Sequence, residues 1–410
     1  MYTYSNVQIV ICTRKGGFFT DINKSFYKTI FKNIFVDTFT VKYWDGEEEI
    51  YGTGKSKFKV IFNEPISKVD FINDPSMAFG EGFMFKKVEI EGNLQKVIES
   101  LFNNENSFVR KANPMGKALK SITNNIQKSK KNIEHHYDIG NDFYKLWLDD
   151  TMTYSCGYFK SLEDSLLDAQ RNKVEHILKK LYLSEGDSLL DIGCGWGELI
   201  IEAAKKYRVK AMGITLSSEQ FERVKERIEE ESLGDLVEVE LLDYRELNNR
   251  KFNRVVSVGM AEHLGKKCIN EYFETVNKLL YKGGLSLLHT ITGIGENGTN
   301  TWVNKYIFPG GYIPNIKELA NGMTDQEFKL IDAENLRIHY ALTLENWAIN
   351  FEKALPEIKK TNDEVFIRMW RLYLNTFAAN FRTGNIDIHQ FLFSKGQNDG
   401  LPLTRKYIYE

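Results

Sequence analysis

A glycine-rich turn, Asp191-Ile-Gly193-Cys-Gly195-Trp-Gly197, follows a short apolar run and leads into a helix-like stretch. Glycine is needed in such a turn because ligand atoms approach the backbone more closely than a Cβ allows. A dinucleotide site would use G-x-G-x-x-G, with a third glycine packing helix on strand; here the spacing is G-x-G-x-G. Asp191 enters from the end of the preceding run, where its carboxylate can meet an amino-acid ammonium group. The next apolar run ends in Gly213-Ile-Thr215-Leu216-Ser217-Ser-Glu-Gln220, without the acidic residue that usually grips a ribose. After the third run, Asp243, Tyr244 and Arg245 bring together a carboxylate, a ring and a cation where an adenine would lie at a sheet edge.

Positioning these residues takes strands that end side by side. Ser188–Ile192, Val209–Ile214, Val237–Leu242, Arg254–Val258 and Leu285–Ile291 read as strands, and Glu198–Lys206, Ser217–Glu231 and Lys267–Leu280 as helices between them. Strands alternating with helices of ten to fifteen residues predict an α/β fold with a doubly wound, mostly parallel sheet of the Rossmann-like kind. A glycine turn of this spacing with an entering aspartate is how S-adenosylmethionine sits in doubly wound methyltransferases, so S-adenosyl-L-methionine is the expected cofactor.

The 410 residues suffice for two or three domains with a sizeable core. Hydrophobic residues at 42% and charged residues at 27%, with only 7 Pro, exclude collagen-like and disordered chains. Lys+Arg 54 against Asp+Glu 56 gives a formal charge of −2, which removes any global attraction to nucleic acid. The 27 Phe, 20 Tyr and 6 Trp are more ring surface than a core of this size needs, a hint of a lipid or flat apolar ligand. Cys12, Cys156, Cys194 and Cys268 form no CxxC pair, so neither a disulfide framework nor a thiolate zinc site is indicated, and the compartment reads as cytoplasmic. The adjacent His135 and His136 diverge on a helix and lack a third ligand, so no metal is expected. No apolar stretch approaches the roughly 20 residues that span a bilayer, so any membrane contact would be peripheral.

Toward the N-terminus, Asp21–Val36 places Phe26, Ile30 and Ile34 at steps of four, with Lys24, Lys28 and Lys32 on a neighbouring face. This predicts an amphipathic basic helix, packed on its own domain or touching anionic lipid. Period-two alternation over Phe39–Tyr43, Ser56–Phe62 and Lys87–Ile90 adds strands to make a small α+β domain, 1–106. From Ser107 to Ile133 there is no acidic residue, while Arg110, Lys111, Lys117, Lys120, Lys128, Lys130 and Lys131 supply cations. This basic stretch, 107–133, is a solvated linker or a collector of phospholipid headgroups. The remaining 134–410 is the expected catalytic domain.

These stretches together resemble the cyclopropane fatty acid synthases and the mycolic acid cyclopropane synthases. The resemblance runs nearly unbroken from His136 to Lys395, through HYDIGNDFYKLWLDDTMTYSCGYF (His136 to Phe159), LLDIGCGWG (Leu189 to Gly197) and GITLSSEQ (Gly213 to Gln220). It continues through DYREL from Asp243, VVSVGMAEHLG (Val255 to Gly265), YIFPGGYIP (Tyr306 to Pro314), HYALTLENW (His339 to Trp347) and FRTGNIDIHQFLFSKG (Phe381 to Gly396). FTVKYWDG from Phe39 and FGEGFMFKKVEIEGNL from Phe79 match less strongly, in a domain that the family associates with lipid and that resembles sterol-carrier folds.

The resemblance implies transfer of a methylene group from S-adenosylmethionine to the cis double bond of an unsaturated acyl chain in a membrane phospholipid, with relatives that leave a methyl or methylene branch as the alternative. It implies Tyr154, Ser155, Asp191, Gly193, Gly195, Gly197, Thr215, Leu216, Gln220, Asp243, Tyr244 and Arg245 around the cofactor. It further implies a bound bicarbonate as base, held at Cys156, Glu262, His289, Ile291 and Tyr340, with Cys156 and Tyr340 as donors, Ile291 lending its backbone amide, His289 a ring nitrogen, and Glu262 accepting from the bicarbonate hydroxyl. A carbocation in the substrate requires a dry, electron-rich site, for which Tyr154, Tyr158, Phe159, Tyr306 and Tyr312 are the candidate rings. Many relatives carry a cysteine in the C-terminal helix where this chain has Phe377, which removes covalent catalysis by that thiol. A homodimer, peripheral at the inner face of the membrane, completes the expectation.

Overall fold

Residues 16–105, 140–294 and 300–409 are described by the computed structural model, and the chain divides into two units, Met1–Ala112 and Asn113–Glu410. The basic stretch 107–133 and the pair His135-His136 lie outside the described residues. No helix among the described residues is long and apolar enough to cross a membrane.

In the first unit, helix α1 (Gly16–Phe31) precedes strands β1 (Phe39–Lys42), β2 (Glu48–Tyr51) and β3 (Lys59–Phe62). Helices α2 (Lys68–Asn73) and α3 (Pro75–Met84), strand β4 (Val88–Glu91) and helix α4 (Leu94–Phe102) follow. The sheet runs β2-β1-β3-β4, and Tyr27, Phe31, Phe39, Phe62 and Phe71 form its aromatic core. Side-chain caps from Ser67, Asp74 and Asn93 start α2, α3 and α4 by accepting otherwise orphaned backbone N–H groups.

The basic ridge expected on α1 is largely absent. Lys24 is buried and pairs with Asp45 and Glu47, and Lys28 pairs with Glu47 at 2.6 Å and Glu49 at 3.0 Å. Its apolar face is equally committed, since Ile30 and Ile34 are buried and Phe26 packs on Phe71. The helix faces its own sheet, and of the three lysines only Lys32 is exposed.

The second unit opens with helices α5 (Asn141–Lys145) and α6 (Leu166–Lys180), then alternates β5 (Ser188–Ile192), α7 (Glu198–Tyr207), β6 (Lys210–Thr215), α8 (Ser218–Glu230), β7 (Val237–Leu241), β8 (Phe252–Val258), α9 (Ile269–Leu279) and β9 (Leu280–Gly293). Helices α10 (Thr301–Tyr306) and α11 (Ile316–Asp325), strand β10 (Phe328–Asn335), the long helices α12 (Arg337–Ile358) and α13 (Glu364–Thr383), strand β11 (Ile386–Lys395) and a last turn α14 (Lys406–Tyr409) complete it. The sheet order is β10-β11-β9-β8-β5-β6-β7, parallel from β9 to β7 and antiparallel at β10 and β11. This is the doubly wound arrangement that the alternating pattern predicts. Strand β5 buries Leu189, Leu190, Asp191 and Ile192 between helix layers, which is why it reads as a continuous apolar run. Strand β9 is longer than predicted, starting at Leu280 instead of Leu285.

The helix-on-strand contact that the glycine turn itself lacks is made from the next strand. A Cβ at Gly213 would stand 2.7 Å from Ile200 Cδ1 and 2.8 Å from Cys194 Sγ, so the bare backbone of β6 lets the turn and α7 settle on the sheet.

Candidate active site

Two cavities lie where β5, β6, β8 and β9 end. The first is lined by Asp191, Gly193 and Gly195 of the turn, by Thr215, Leu216 and Gln220 after β6, and by Asp243, Tyr244 and Arg245 after β7, with Tyr154 and Ser155 closing one side. Gly197 is not among its walls. It has φ of +86° and faces α8, where an added Cβ would lie 3.0 Å from both methyls of Val224, so it serves packing and not the cavity. Gly195, at φ +56°, has nothing within 4 Å of where a Cβ would stand: the cradle is open toward the cavity.

Opposite charges meet in this cavity. Asp191 Oδ1 is buried without a hydrogen-bond partner among the described residues, and burial pushes its carboxyl up to about 7 although the Lys173 ammonium pulls it down. Lys173, from α6, is 3% exposed, donates to Ser155 Oγ at 3.0 Å and has no carboxylate within salt-bridge distance among the described residues, and burial brings its ammonium down to about 8. A zwitterionic amino-acid group satisfies both. Asp243 is already occupied: Arg245 grips it through Nε–H at 2.8 Å and Nη2–H at 2.7 Å, and the Arg245 backbone N–H adds a third bond. Thr215 donates to Gln220 Oε1 at 2.8 Å and accepts the Ser217 N–H, which fixes the loop that lacks an acidic residue. These features fit S-adenosylmethionine: a charge pair for its methionine end and a glycine cradle for its close approach.

The second cavity shares Tyr154, Ser155, Gly259 and His263 with the first. Its walls include Cys156, Glu262, His289, Ile291 and Tyr340, so the chain brings together all five positions expected around an anion. Their bonding departs from the expectation in two places. The Ile291 N–H is not available to a ligand, because it donates to Glu262 Oε1 at 2.7 Å. The Cys156 thiol donates to Gly157 O at 3.2 Å, and burial pushes it up so that it stays protonated. Glu262 Oε2 and His289 Nε2 are instead buried and without partners among the described residues. Burial raises the Glu262 carboxyl above its ordinary value and holds the His289 ring far below its own, in the neutral form.

Aromatic rings make up much of the remaining wall: Tyr154, Phe308, Tyr312, Tyr373 and Phe377. Tyr154 and Tyr373 join hydroxyls at 2.8 Å. Of the rings expected from sequence, Tyr158, Phe159 and Tyr306 are not in the wall. Tyr158 is stacked between His176 and His339, with centroids 4.2 and 4.8 Å away, the Phe159 N–H bonds His339 Nδ1, and Tyr306 packs on Trp302. Sequence reasoning missed Phe308, Tyr373 and Phe377, which reach the cavity from distant segments, although Phe377 was noticed for replacing a cysteine. It also missed Lys173 and Gln170 of α6. The Gln170 amide donates to Ser155 O at 2.8 Å and Thr153 O at 3.3 Å and so holds the segment between the cavities. His263, which burial brings down to about 4, sits beside Glu262 in the quoted MAEH stretch, the one signal that could have found it.

The family described as mycolic acid cyclopropane synthetase matches residues 124–391, and a domain of unknown function matches residues 26–113. A probable fatty acid methyltransferase of Pseudomonas putida is 36% identical over 388 residues, covering 90% of this chain and 95% of its own length. The cyclopropane-fatty-acyl-phospholipid synthase of Escherichia coli is 42% identical over 274 residues, covering 66% of this chain and 70% of its own length. Among solved structures, a mycolic acid cyclopropane synthase complexed with SAH and CTAB is similar at a TM-score of 0.62 and 33% identity, over 65% of this chain and 98% of that one.

Proposed function

The chain belongs to the mycolic acid cyclopropane synthetase family of S-adenosylmethionine-dependent methyltransferases, and from that premise we propose that it adds a methylene bridge across the cis double bond of an unsaturated acyl chain in membrane phospholipid. The observation that carries the reading is the shared wall. Tyr154, Ser155, Gly259 and His263 border both cavities, so a group held in the first lies against whatever fills the second.

When bound, S-adenosylmethionine supplies an electrophilic methyl group. The protein's part is to orient it: Asp191 takes the ammonium end, Lys173 the carboxylate, and the turn at Gly193 and Gly195 admits the ligand against the backbone. The acyl chain lies in the second cavity, whose rings exclude water and present electron-rich faces. Each face offsets a transient carbocation by about 0.5 to 2 kcal/mol. Loss of a proton from the added methyl then closes the ring, and bicarbonate is the proposed base. His289 Nε2 and Glu262 Oε2 are one nitrogen and one oxygen without partners, and a bicarbonate ion offers both an acceptor oxygen and a donor hydroxyl. Ile291 holds Glu262 in place for it, in a supporting role and not as a direct ligand.

A second reading, a lipid C-methyltransferase that leaves a methyl or methylene branch, is favoured by the name of the Pseudomonas putida relative. Mass spectrometry of total lipid from a host lacking such an enzyme, with and without this chain, tests the class through a gain of one CH₂. Resistance of the product to alkene hydrogenation, with ring protons in its NMR spectrum, supports the ring; saturable or branched product supports the second reading. Peripheral docking at the inner membrane face belongs to the same proposal and rests on the acyl-chain substrate, whereas a homodimer rests on the family resemblance alone.

A further inference from the structure

His289 stands on β9 directly across from Gln390 on β11, the two being Cα partners in an antiparallel pairing. Both side chains are buried, at 1% and 0% exposure. The Gln390 amide nitrogen lies 3.3 Å from His289 Nδ1. An amide NH₂ donates and cannot accept, so Nδ1 must offer its lone pair. A neutral imidazole carries one proton, and with Nδ1 accepting, that proton is on Nε2, the nitrogen without a partner in the residue that lines the second cavity. Gln390 Oε1 has no partner in this orientation. Turning the amide over would leave two N–H donors bare in the same buried place, the costlier omission. The neighbouring residue points elsewhere: His389 Nδ1 meets Thr292 Oγ1 at 2.8 Å.

We propose that Gln390 is a positioning residue that locks His289 in the tautomer protonated on Nε2, so that the cavity meets a hydrogen-bond donor paired with the Glu262 Oε2 acceptor. The lock rests on geometry alone; its use, orienting bicarbonate, rests on the function proposed above. Without it the buried ring is free to move its proton to Nδ1, and an anion then meets a lone pair.

Nitrogen-15 NMR of the full chain labelled at histidine, with His289 identified by its loss in a His289→Gln variant, reads the tautomer directly. The wild type is expected to show Nε2 protonated and Nδ1 bare. In Gln390→Leu the Nδ1 signal should move toward exchange between tautomers and the KM for bicarbonate should rise about tenfold, the scale of one lost hydrogen bond. S-adenosylmethionine affinity by calorimetry should not change. A wild-type ring protonated on Nδ1 overturns the proposal, as does a Gln390→Leu ring that keeps the wild-type signature. If Gln390→Leu fails to fold, the wild-type spectrum still decides. Turnover that ignores bicarbonate in a protein with Nε2 protonated sustains the lock and overturns the anion reading instead.

Discussion

The backbone N–H of Ile291 reaches across to Oε1 of Glu262 at 2.7 Å and thereby divides one carboxyl group into a held oxygen and an offered one. Ile291 is a strand residue of β9, whereas Glu262 sits in a short turn after β8, so the contact ties loop to sheet. Glu262→Gln can keep this bond through its carbonyl oxygen while presenting an NH₂ to the cavity in place of an acceptor. Turnover is expected to fall about 10²-fold or more, the scale of lost general-base function, with cofactor affinity unchanged. Steady-state rates beside calorimetric binding check both halves, and a variant at full rate removes Glu262 from the chemistry.

Gly195 has a left-handed backbone and open space ahead of it. Gly195→Val therefore meets no neighbour but pushes a branched side chain into the first cavity, at a backbone cost of about 1–2 kcal/mol. S-adenosylmethionine binding should be abolished while thermal unfolding stays cooperative with a modestly lowered midpoint. Unchanged affinity would move the cofactor out of this cavity.

Cofactor affinity should peak between about pH 7 and 8. Below about 7 Asp191 takes up a proton and loses the charge that faces an ammonium group; above about 8 Lys173 gives up its proton and the charge that faces a carboxylate. Asp149, Cys156, Asp191 and Glu198 also act on Lys173, each favouring its charged form. Outside the window affinity should drop about tenfold per pH unit on either limb. Lys173→Met should flatten the alkaline limb and move the acid limb to higher pH, because the ammonium that pulls Asp191 down is gone; calorimetry from about two pH units below the acid edge to about two above the alkaline edge tests this.

Anionic vesicles should distinguish two sets of lysines. Lys24 and Lys28 are already matched to Asp45, Glu47 and Glu49, so replacing both by Gln should leave vesicle binding in place. Replacing Lys128, Lys130 and Lys131 by Gln should weaken it by up to about 3 kcal/mol, at roughly 1 kcal/mol per cation, with the loss shrinking as salt rises. Co-sedimentation at low and high salt measures both, and full binding by the triple variant would assign 107–133 to a plain linker.

What was legible in the sequence was whatever depends on neighbours along the chain. The run Ser188–Ile192 shows its strand to the residue because both faces of β5 are buried, and the glycine turn shows its cavity because Asp191, Gly193 and Gly195 act within one loop. What stayed hidden depends on partners far away. The carboxylates that neutralise Lys24 come from the connection between β1 and β2, at Asp45 and Glu47, so a helix read in isolation looks like a basic ridge. Gly197 shares its pattern with Gly195 yet faces Val224, a contact that exists only once α8 is in place. Ile291 carries no polar side chain, and its backbone N–H becomes committed only when Glu262 folds beneath it. Phe308, Tyr373 and Phe377 share one wall though two of them are on α13 and the other is in a loop.

The pairing of β9 with β11 also bears on how such an enzyme can change. His289 and Ile291 alternate along β9 with Thr290 and Thr292, and they face Gln390 and Ile388 across the ladder. A slip of one residue would turn both away from the cavity and bring the threonines in, together with every core side chain of the strand. The His289 end of the second cavity is thus tied as a block to the centre of the sheet. Changes in the shape of the second cavity are left to the ring-bearing walls at Phe308, Tyr312 and Phe377, where one side chain can be exchanged without moving the strand that holds His289.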